Sequence, residues 1–216
     1  MMDRRRGLMS VKPESSRLPS EYQQCEWIRN NSGSPYLQTI QIDNDSWPLL
    51  IHCGFYATAY GAYNGFVVQV GTNTSGYNRA GIIAKNNVGF RMGTTNYSTA
   101  SGVVTNKRVD AVLEYTKNGA SFGADVDGTS YKQDTTTLPP TSWPDRYFYV
   151  FCMAANNKMT GRIYYVKVYQ SDNAILDMIP CYRKSDGVIG MYDFVTETFF
   201  TNAATSGEFS KGADVT

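Results

Sequence analysis

The chain has one histidine in 216 residues, His52, which rules out a histidine-rich metal site built within a single chain. His52 stands next to Cys53 in LLIHCGFY. Neighbours on a strand point to opposite faces, so the two are read as ordinary strand residues and not as a Cys-His dyad. Charge of one sign is lacking too: 20 basic residues oppose 19 acidic ones for a net +1, leaving no broad field to gather nucleic acid or anionic lipid. No apolar run approaches the ~20 residues that cross a bilayer, and residues 1–20 lack the apolar core of about 7 to 15 residues that marks a secretory signal. The expectation is a soluble chain with no nucleic-acid partner, no membrane insertion and no secretory export. CxxC spacing is missing as well. Cys25, Cys53, Cys152 and Cys181 lie far apart, against a zinc site or a redox dithiol. They are read as buried thiols, with two disulfides as the alternative, because a domain of this length assembles a core without covalent staples. A phosphate loop of the GxxxxGK(S/T) type is also absent.

What the sequence does have is 19 Gly, 16 Tyr and 10 Phe amid recurrent clusters of Thr, Ser and Asn, a composition of strands joined by turns. Its length suits one domain, placed at residues 19–216. A basic stretch at 1–18, with Arg4, Arg5, Arg6, Lys12 and Arg17, reads as a flexible arm or a docking segment that orders against a partner. In VDAVLEYT, Val109, Ala111, Leu113 and Tyr115 alternate with polar residues, as a half-buried strand requires. Asn118-Gly119 and Asp127-Gly128 then signal tight turns. Two successive hairpins are expected over 109–117, 120–127 and 129–133. TTTLPPTSWP, residues 135–144, reads as a surface loop. RYFYVFCMA and RIYYVKVYQ are the densest strand signals. In the second, Tyr164, Val166 and Val168 are placed on one face and Ile163, Tyr165, Lys167 and Tyr169 on the other, one face core and one partly covered or groove-lining. Strands at roughly ten-residue spacing without helical periodicity predict an all-β, two-sheet antiparallel sandwich.

LPSEYQQCEWI, the run RIYYVKVYQSDNAILDMIPCYRKSDGVIGMYDFVTETFFTNA and the closing GEFSKGADV resemble the concanavalin A-like, laminin-G-like jelly-roll modules of bacteriophage tail and other virion proteins. Similar modules occur in prophages and surface proteins of gut bacteria. The resemblance covers residues 18–216, and RRRGLM looks like the arm preceding such domains. It implies a jelly roll with one concave, glycan-facing sheet. Because that fold hosts lectins, interaction modules and glucanases alike, it leaves catalysis open.

A retaining glucanase of this fold needs Glu-x-Asp-x-Glu on one strand, to hold its carboxyls about 5 Å apart; the triplet is not in the sequence. Asp110 and Glu114 share a face without a third carboxylate, and Asp125 and Asp127 read as turn residues. Calcium, common in lectins of this fold, has only Asp43 and Asp45 of IDNDSW as oxygen ligands; a solvated turn is expected there, and no metal or cofactor is assigned. The charged run IPCYRKSDGVIGMYDFVTETFFTNA at 179–203 reads as a structural signature: Pro180 belongs at an edge or strand end, Asp186-Gly187 makes a turn, and Arg183 or Lys184 pairs with Asp186 or Asp193. For binding, rings and amides on loops are the candidates: Tyr56, Tyr60, Tyr77, Asn78, Tyr97 and Trp143. The expected function is a non-catalytic virion module, tail or capsid-associated, that recognises a host glycan or surface receptor. It would contact other virion proteins through the arm and form a homo-oligomer, as symmetric particles require. The alternatives are a glycoside hydrolase with an atypical carboxylate arrangement and a bacterial cell-surface adhesion domain.

Overall fold

The structure is a computed structural model that describes residues 17–31, 35–42, 48–60, 65–71, 79–84, 87–92, 95–98, 106–136, 147–151 and 159–216. Among them there is no helix. The first strands are β1 (Tyr22–Gln24), β2 (Ile28–Asn30), β3 (Leu37–Gln41), β4 (Leu49–Tyr60), β5 (Gly65–Gly71) and β6 (Arg79–Ala84). Next come β7 (Val88–Met92), β8 (Thr95–Ser98), β9 (Arg108–Thr116), β10 (Gly119–Val126), β11 (Thr129–Thr135) and β12 (Tyr147–Val150). The chain closes with β13 (Met159–Gln170), β14 (Asn173–Arg183), β15 (Ile189–Asp193), β16 (Thr198–Thr201) and β17 (Phe209–Lys211). They form two antiparallel sheets. The larger runs β11-β10-β9-β4-β13-β14-β15-β16, with β2 also against β13, β17 against β2 and β1 against β14; the smaller runs β3-β12-β5-β6-β7-β8.

The two hairpins stand where the alternation and the turn residues place them. Asp127 and Gly128 both take positive φ, 48° and 82°, the geometry of a two-residue turn whose twist matches the strands. Asp127 accepts from the Arg108 amide at 3.2 Å and Asp125 from the Gly128 amide at 2.7 Å, so both carboxylates brace the turn. The other turn is shifted one residue. Thr116 pairs with Gly119, leaving Lys117 and Asn118 as the loop, and Gly119 opens β10 at φ 134°. The glycine absorbs the odd backbone angle at the strand entry, and Asn118 does not need it.

The core lies between the sheets. Leu49, Ile51, Cys53, Phe55 and Ala57 from β4 meet Val68, Val70, Ile82 and Phe148 from the smaller sheet, all fully buried or nearly so. Phe90 of β7 packs against Tyr115 and Phe122 of the larger sheet, with ring centroids 6.4 and 5.9 Å away. The buried Tyr115 hydroxyl donates to the Arg91 carbonyl at 2.9 Å, so this ring carries its own polar partner across the core.

The face assignment in RIYYVKVYQ needs correction. Ile163 is buried together with Val166 and Val168, not with Lys167 and Tyr169. The register against β4 shifts between Ile163 and Tyr165: a β-bulge adds one residue there and reverses the phase of alternation. Pro180 sits inside β14 without breaking a ladder. Its carbonyl accepts the Cys25 amide, and a strand residue's N–H and C=O point the same way. The missing donor therefore faces the gap where β13 pairing ends at Met178 and β1 pairing begins at Cys181. Cys25, Cys53 and Cys181 are free and buried; burial pushes the Cys25 and Cys181 thiols up to about 12 and raises Cys53 further. Cys152 lies outside the described residues.

Candidate functional site

The two outer faces differ. Over β5, β6 and β12 the smaller sheet is covered on its outside too: Gln69, Ile83 and Tyr149 are buried, and Phe66 with Ile83 forms a separate small apolar cluster. The outer face of the larger sheet is half-open, with Val112 38% exposed at its surface and Tyr56, Arg162, Tyr164, Tyr165, Lys167 and Tyr169 partly accessible.

Strand register assembles one row across this face. Arg108 of β9 is paired with Tyr56 of β4, Tyr56 with Arg162 of β13, Arg162 with Arg29 of β2, and Arg29 with Ser210 of β17. Directly paired residues share a face, so three arginines and one tyrosine stand side by side. Trp27, two positions before Arg29, joins them. The Arg162 guanidinium carbon lies 4.5 Å from the Trp27 ring centroid and 5.1 Å from that of Tyr56, held between two π faces. At the far end of the row, Ser210 and Asn31 exchange side-chain hydrogen bonds of 3.0 and 3.2 Å.

The bulge on β13 furnishes the adjoining row. It leaves two consecutive tyrosines on the outer side. Arg108 stacks over Tyr164 at 4.0 Å, and the Tyr165 hydroxyl donates to Asp110 at 3.0 Å. Asp110 also pairs with Arg108 at 3.2 Å. Gly54 leaves the floor for the Tyr165 ring: a Cβ there would come within 2.6 Å of Cε1. The desolvated Tyr165 phenol, beside the Asp110 charge, is raised well above its ordinary value, so it donates at any physiological pH.

Two groups in the first row are poorly provided for. The Nε atoms of Arg29 and Arg162 are buried and have no hydrogen-bond acceptor, whereas Arg108 is neutralised by Asp110. A buried donor without an acceptor costs on the order of 1 to 3 kcal/mol, and like charges directly opposite on neighbouring strands add to that. Farther up the same face, Lys167 pairs with Asp177 at 3.0 Å. His52, opposite Lys167, lies edge-on to Tyr169 at 5.8 Å. Burial first, and the Lys167 charge second, lower the His52 pKa.

The described carboxylates of this face and of the 179–203 run are engaged as follows. Asp110 is engaged by Arg108 and Tyr165, and Glu114 stands opposite Leu50 and Ser121. Asp193, in the 179–203 run, is fully buried and spends its oxygens on the Asp177 amide and on the Thr196 amide and hydroxyl, at 2.6, 2.9 and 2.6 Å. Arg183 grips Asp186 through Nε at 3.1 Å and Nη2 at 2.6 Å, one of the pairings expected, while Lys184 donates to the Ser20 carbonyl at 2.8 Å. Among the described residues no cluster of three or more metal-ligating side chains occurs. Asp43 and Asp45 lie outside them. A cleft of about 300 Å³ is lined by Arg17, Pro19, Tyr192, Phe194 and Glu197, with Arg17 stacked on Phe194 at 4.7 Å in its wall.

Of the six binding candidates read from sequence, Tyr56 stands in the row. Tyr97 belongs to the other sheet, where it stacks on buried Phe90 at 4.8 Å with the rings 11° apart. Tyr60 ends β4 opposite Met159, its side chain outside the described set. Tyr77, Asn78 and Trp143 also lie outside the described residues. Arg29, Arg108, Arg162 and Trp27 are not among the sequence candidates: Trp27 and Arg29 are near neighbours, but Arg108 and Arg162 are far from them and from each other in the chain, and only the strand register brings them together.

No protein-family model matches the sequence, and no curated protein matches it. Solved structures do. A candidate carbohydrate-binding protein from Bacteroides ovatus is 16% identical with a TM-score of 0.56, covering 89% of this chain; the chain spans 62% of that protein's length. A native heptameric SAP-like pentraxin from Limulus polyphemus is 9% identical with a TM-score of 0.52, over 87% of this chain and 95% of the other. The CBM40 of the Ruminococcus gnavus IT-sialidase, bound to alpha2,3 sialyllactose, is 15% identical with a TM-score of 0.47, over 68% and 90%. At such identities the likeness shows the fold, which is the antiparallel jelly-roll sandwich expected from the sequence.

Proposed function

We propose that this chain is a non-catalytic glycan-recognition module whose ligand lies on the outer face of the larger sheet, across β9, β4, β13 and β2. The observation that carries the reading is the row Arg108–Tyr56–Arg162–Arg29 with Trp27, Tyr164 and Tyr165 beside it. Half-exposed rings offer flat apolar surfaces and fixed donors flank them, the combination that binds saccharides without any shifted acid or base. The strands hold these groups rigidly, so little ordering entropy is lost on binding. The Bacteroides ovatus neighbour, of the same fold, is a candidate carbohydrate binder, which agrees with this reading.

The module is carried on a bacteriophage particle, in the tail or on the capsid, through its basic N-terminal segment. The sequence resemblance and the five cationic residues among the first eighteen support that placement; carriage on a bacterial surface is the competing context. Incorporation of the chain into particles with and without residues 1–18 tests it: loss of incorporation upholds the docking segment, and unchanged incorporation removes it.

A glycan array read with wild type and Tyr56→Ala, together with a reducing-end release assay, tests recognition. Binding that Tyr56→Ala weakens tenfold or more, without release of reducing ends, is expected. Turnover abolished by Glu114→Gln or Asp110→Asn would instead establish a glycoside hydrolase.

A further inference from the structure

We infer that Arg29 and Arg162 form a subsite for the acid group of an anionic saccharide, a sugar bearing a carboxylate or a sulfate. The inference rests on the glycan reading above and specifies its ligand class. Arg29 and Arg162 are directly paired across β2 and β13, so the two cationic side chains leave the sheet side by side on one face, and among the described residues no carboxylate pairs with either. Among the described residues neither side chain forms an ion pair or a hydrogen bond, and the Nε of each is buried without an acceptor. The cations on either side of this pair are committed, Arg108 to Asp110 and Lys167 to Asp177. The imbalance is therefore local to one pair, in a chain whose net charge is only +1.

The chemistry selects an anion. A neutral hydroxyl can accept N–H groups but leaves two cations facing each other with their charge uncancelled. A planar carboxylate, or a sulfate, accepts from both forks and cancels the repulsion. Arg162 is oriented for this before any ligand arrives, because Trp27 and Tyr56 hold its guanidinium between them at 4.5 and 5.1 Å. Those rings then flank the acid group with apolar surface for the sugar ring. Strands stand about 4.8 Å apart, so Tyr56 to Arg29 spans two gaps, the reach of a disaccharide. The Ser210 hydroxyl and Asn31 amide, hydrogen-bonded to each other, close the row next to Arg29 with groups suited to the neighbouring hydroxyls.

The test is a panel of neutral oligosaccharides and their uronate-bearing, sialylated and sulfated counterparts, with methyl esters of the carboxylated members. It is titrated against wild type, Arg29→Gln, Arg162→Gln and Arg162→Lys, with thermal unfolding of each variant recorded. Wild type is expected to bind at least one acidic member tenfold or more tighter than its ester or neutral parent. The preference should vanish in both glutamine variants and fall severalfold in Arg162→Lys, which keeps the charge and loses the fork. Arg29→Gln should unfold no lower than wild type, since it removes an unsatisfied donor and a repulsion, whereas Arg162→Gln also loses its stacking on Trp27 and Tyr56 and is read against Arg162→Lys. Whether carboxylate or sulfate members respond names the acid group. Equal affinity for acids and neutral parents overturns the subsite while leaving glycan recognition standing. A preference for acids that survives both glutamine variants also overturns it, as does a drop in unfolding temperature with unchanged binding, which marks the arginines as structural. Absence of binding to every member overturns this inference and the glycan reading together.

Discussion

At the scale of single residues, the outer face of the larger sheet places polar groups where each has a readable consequence. His52 is the chain's one histidine, and burial together with Lys167 lowers its pKa below the ordinary 6.5. The unfolded chain therefore binds a proton near pH 6.5 that the folded chain resists. Stability is fully present above that pH and is lost as the pH falls through it. Urea midpoints measured from pH 7.5 down to 5.5 should fall in wild type, by no more than about 1.4 kcal/mol per pH unit for one proton, and stay level in His52→Gln. A wild-type profile as flat as the variant's would contradict the assignment. Among the described residues no other shifted group interferes in this window: the lowered carboxylates Asp134, Asp186 and Asp214 titrate below it, and the raised thiols and phenols above it. Residue identity alone did not reveal this role. The sequence placed His52 on a strand, but the charge opposite it comes from β13, more than a hundred positions away.

At the scale of elements, the hairpins β9-β10-β11 were legible because two local signals agree: strict alternation over Val109–Tyr115 and glycine-containing turns at fixed spacing. Where the signals conflict, legibility ends. RIYYVKVYQ carries aromatic and aliphatic residues on both faces, so nothing in it marks the bulge that lets Tyr164 and Tyr165 share the outer side. Pro180 looked like a strand end because pairing partners are invisible in sequence; in the sheet it occupies the hand-over between β13 and β1. The two turn glycines separate space from backbone angle. At Gly128, φ +82°, an added Cβ meets nothing within 4 Å, while at Gly119, φ +134°, it would lie 2.0 Å from the Thr135 carbonyl oxygen. Gly128→Ala should cost roughly 1 to 2 kcal/mol from the backbone angle alone, and Gly119→Ala more, because β11 must also move off β10. Denaturant midpoints give the order, and amide exchange in β11 should accelerate in Gly119→Ala only. The reverse order would refute this account of the turns.

At the scale of the whole molecule, burial decides which surface is free to act. The smaller sheet has apolar or buried residues on both sides of β5, whereas the larger sheet turns a row of arginine and aromatic side chains outward. The fold class was readable from composition and strand spacing, because both are summed over the chain. The row was not, because Trp27, Tyr56, Arg108 and Arg162 meet only through the register of four strands. Of the two sequence candidates whose side chains are described, Tyr56 stands in the row and Tyr97 does not; a tyrosine announces itself as a sugar platform and an arginine does not. The most direct test of recognition on this face is amide chemical-shift mapping of the labelled protein during titration with a saccharide that it binds. The account predicts perturbations concentrated at residues 27–29, 54–56, 108–110 and 160–165. Perturbations confined to β3, β5, β6, β7, β8 and β12, on the smaller sheet, would contradict it.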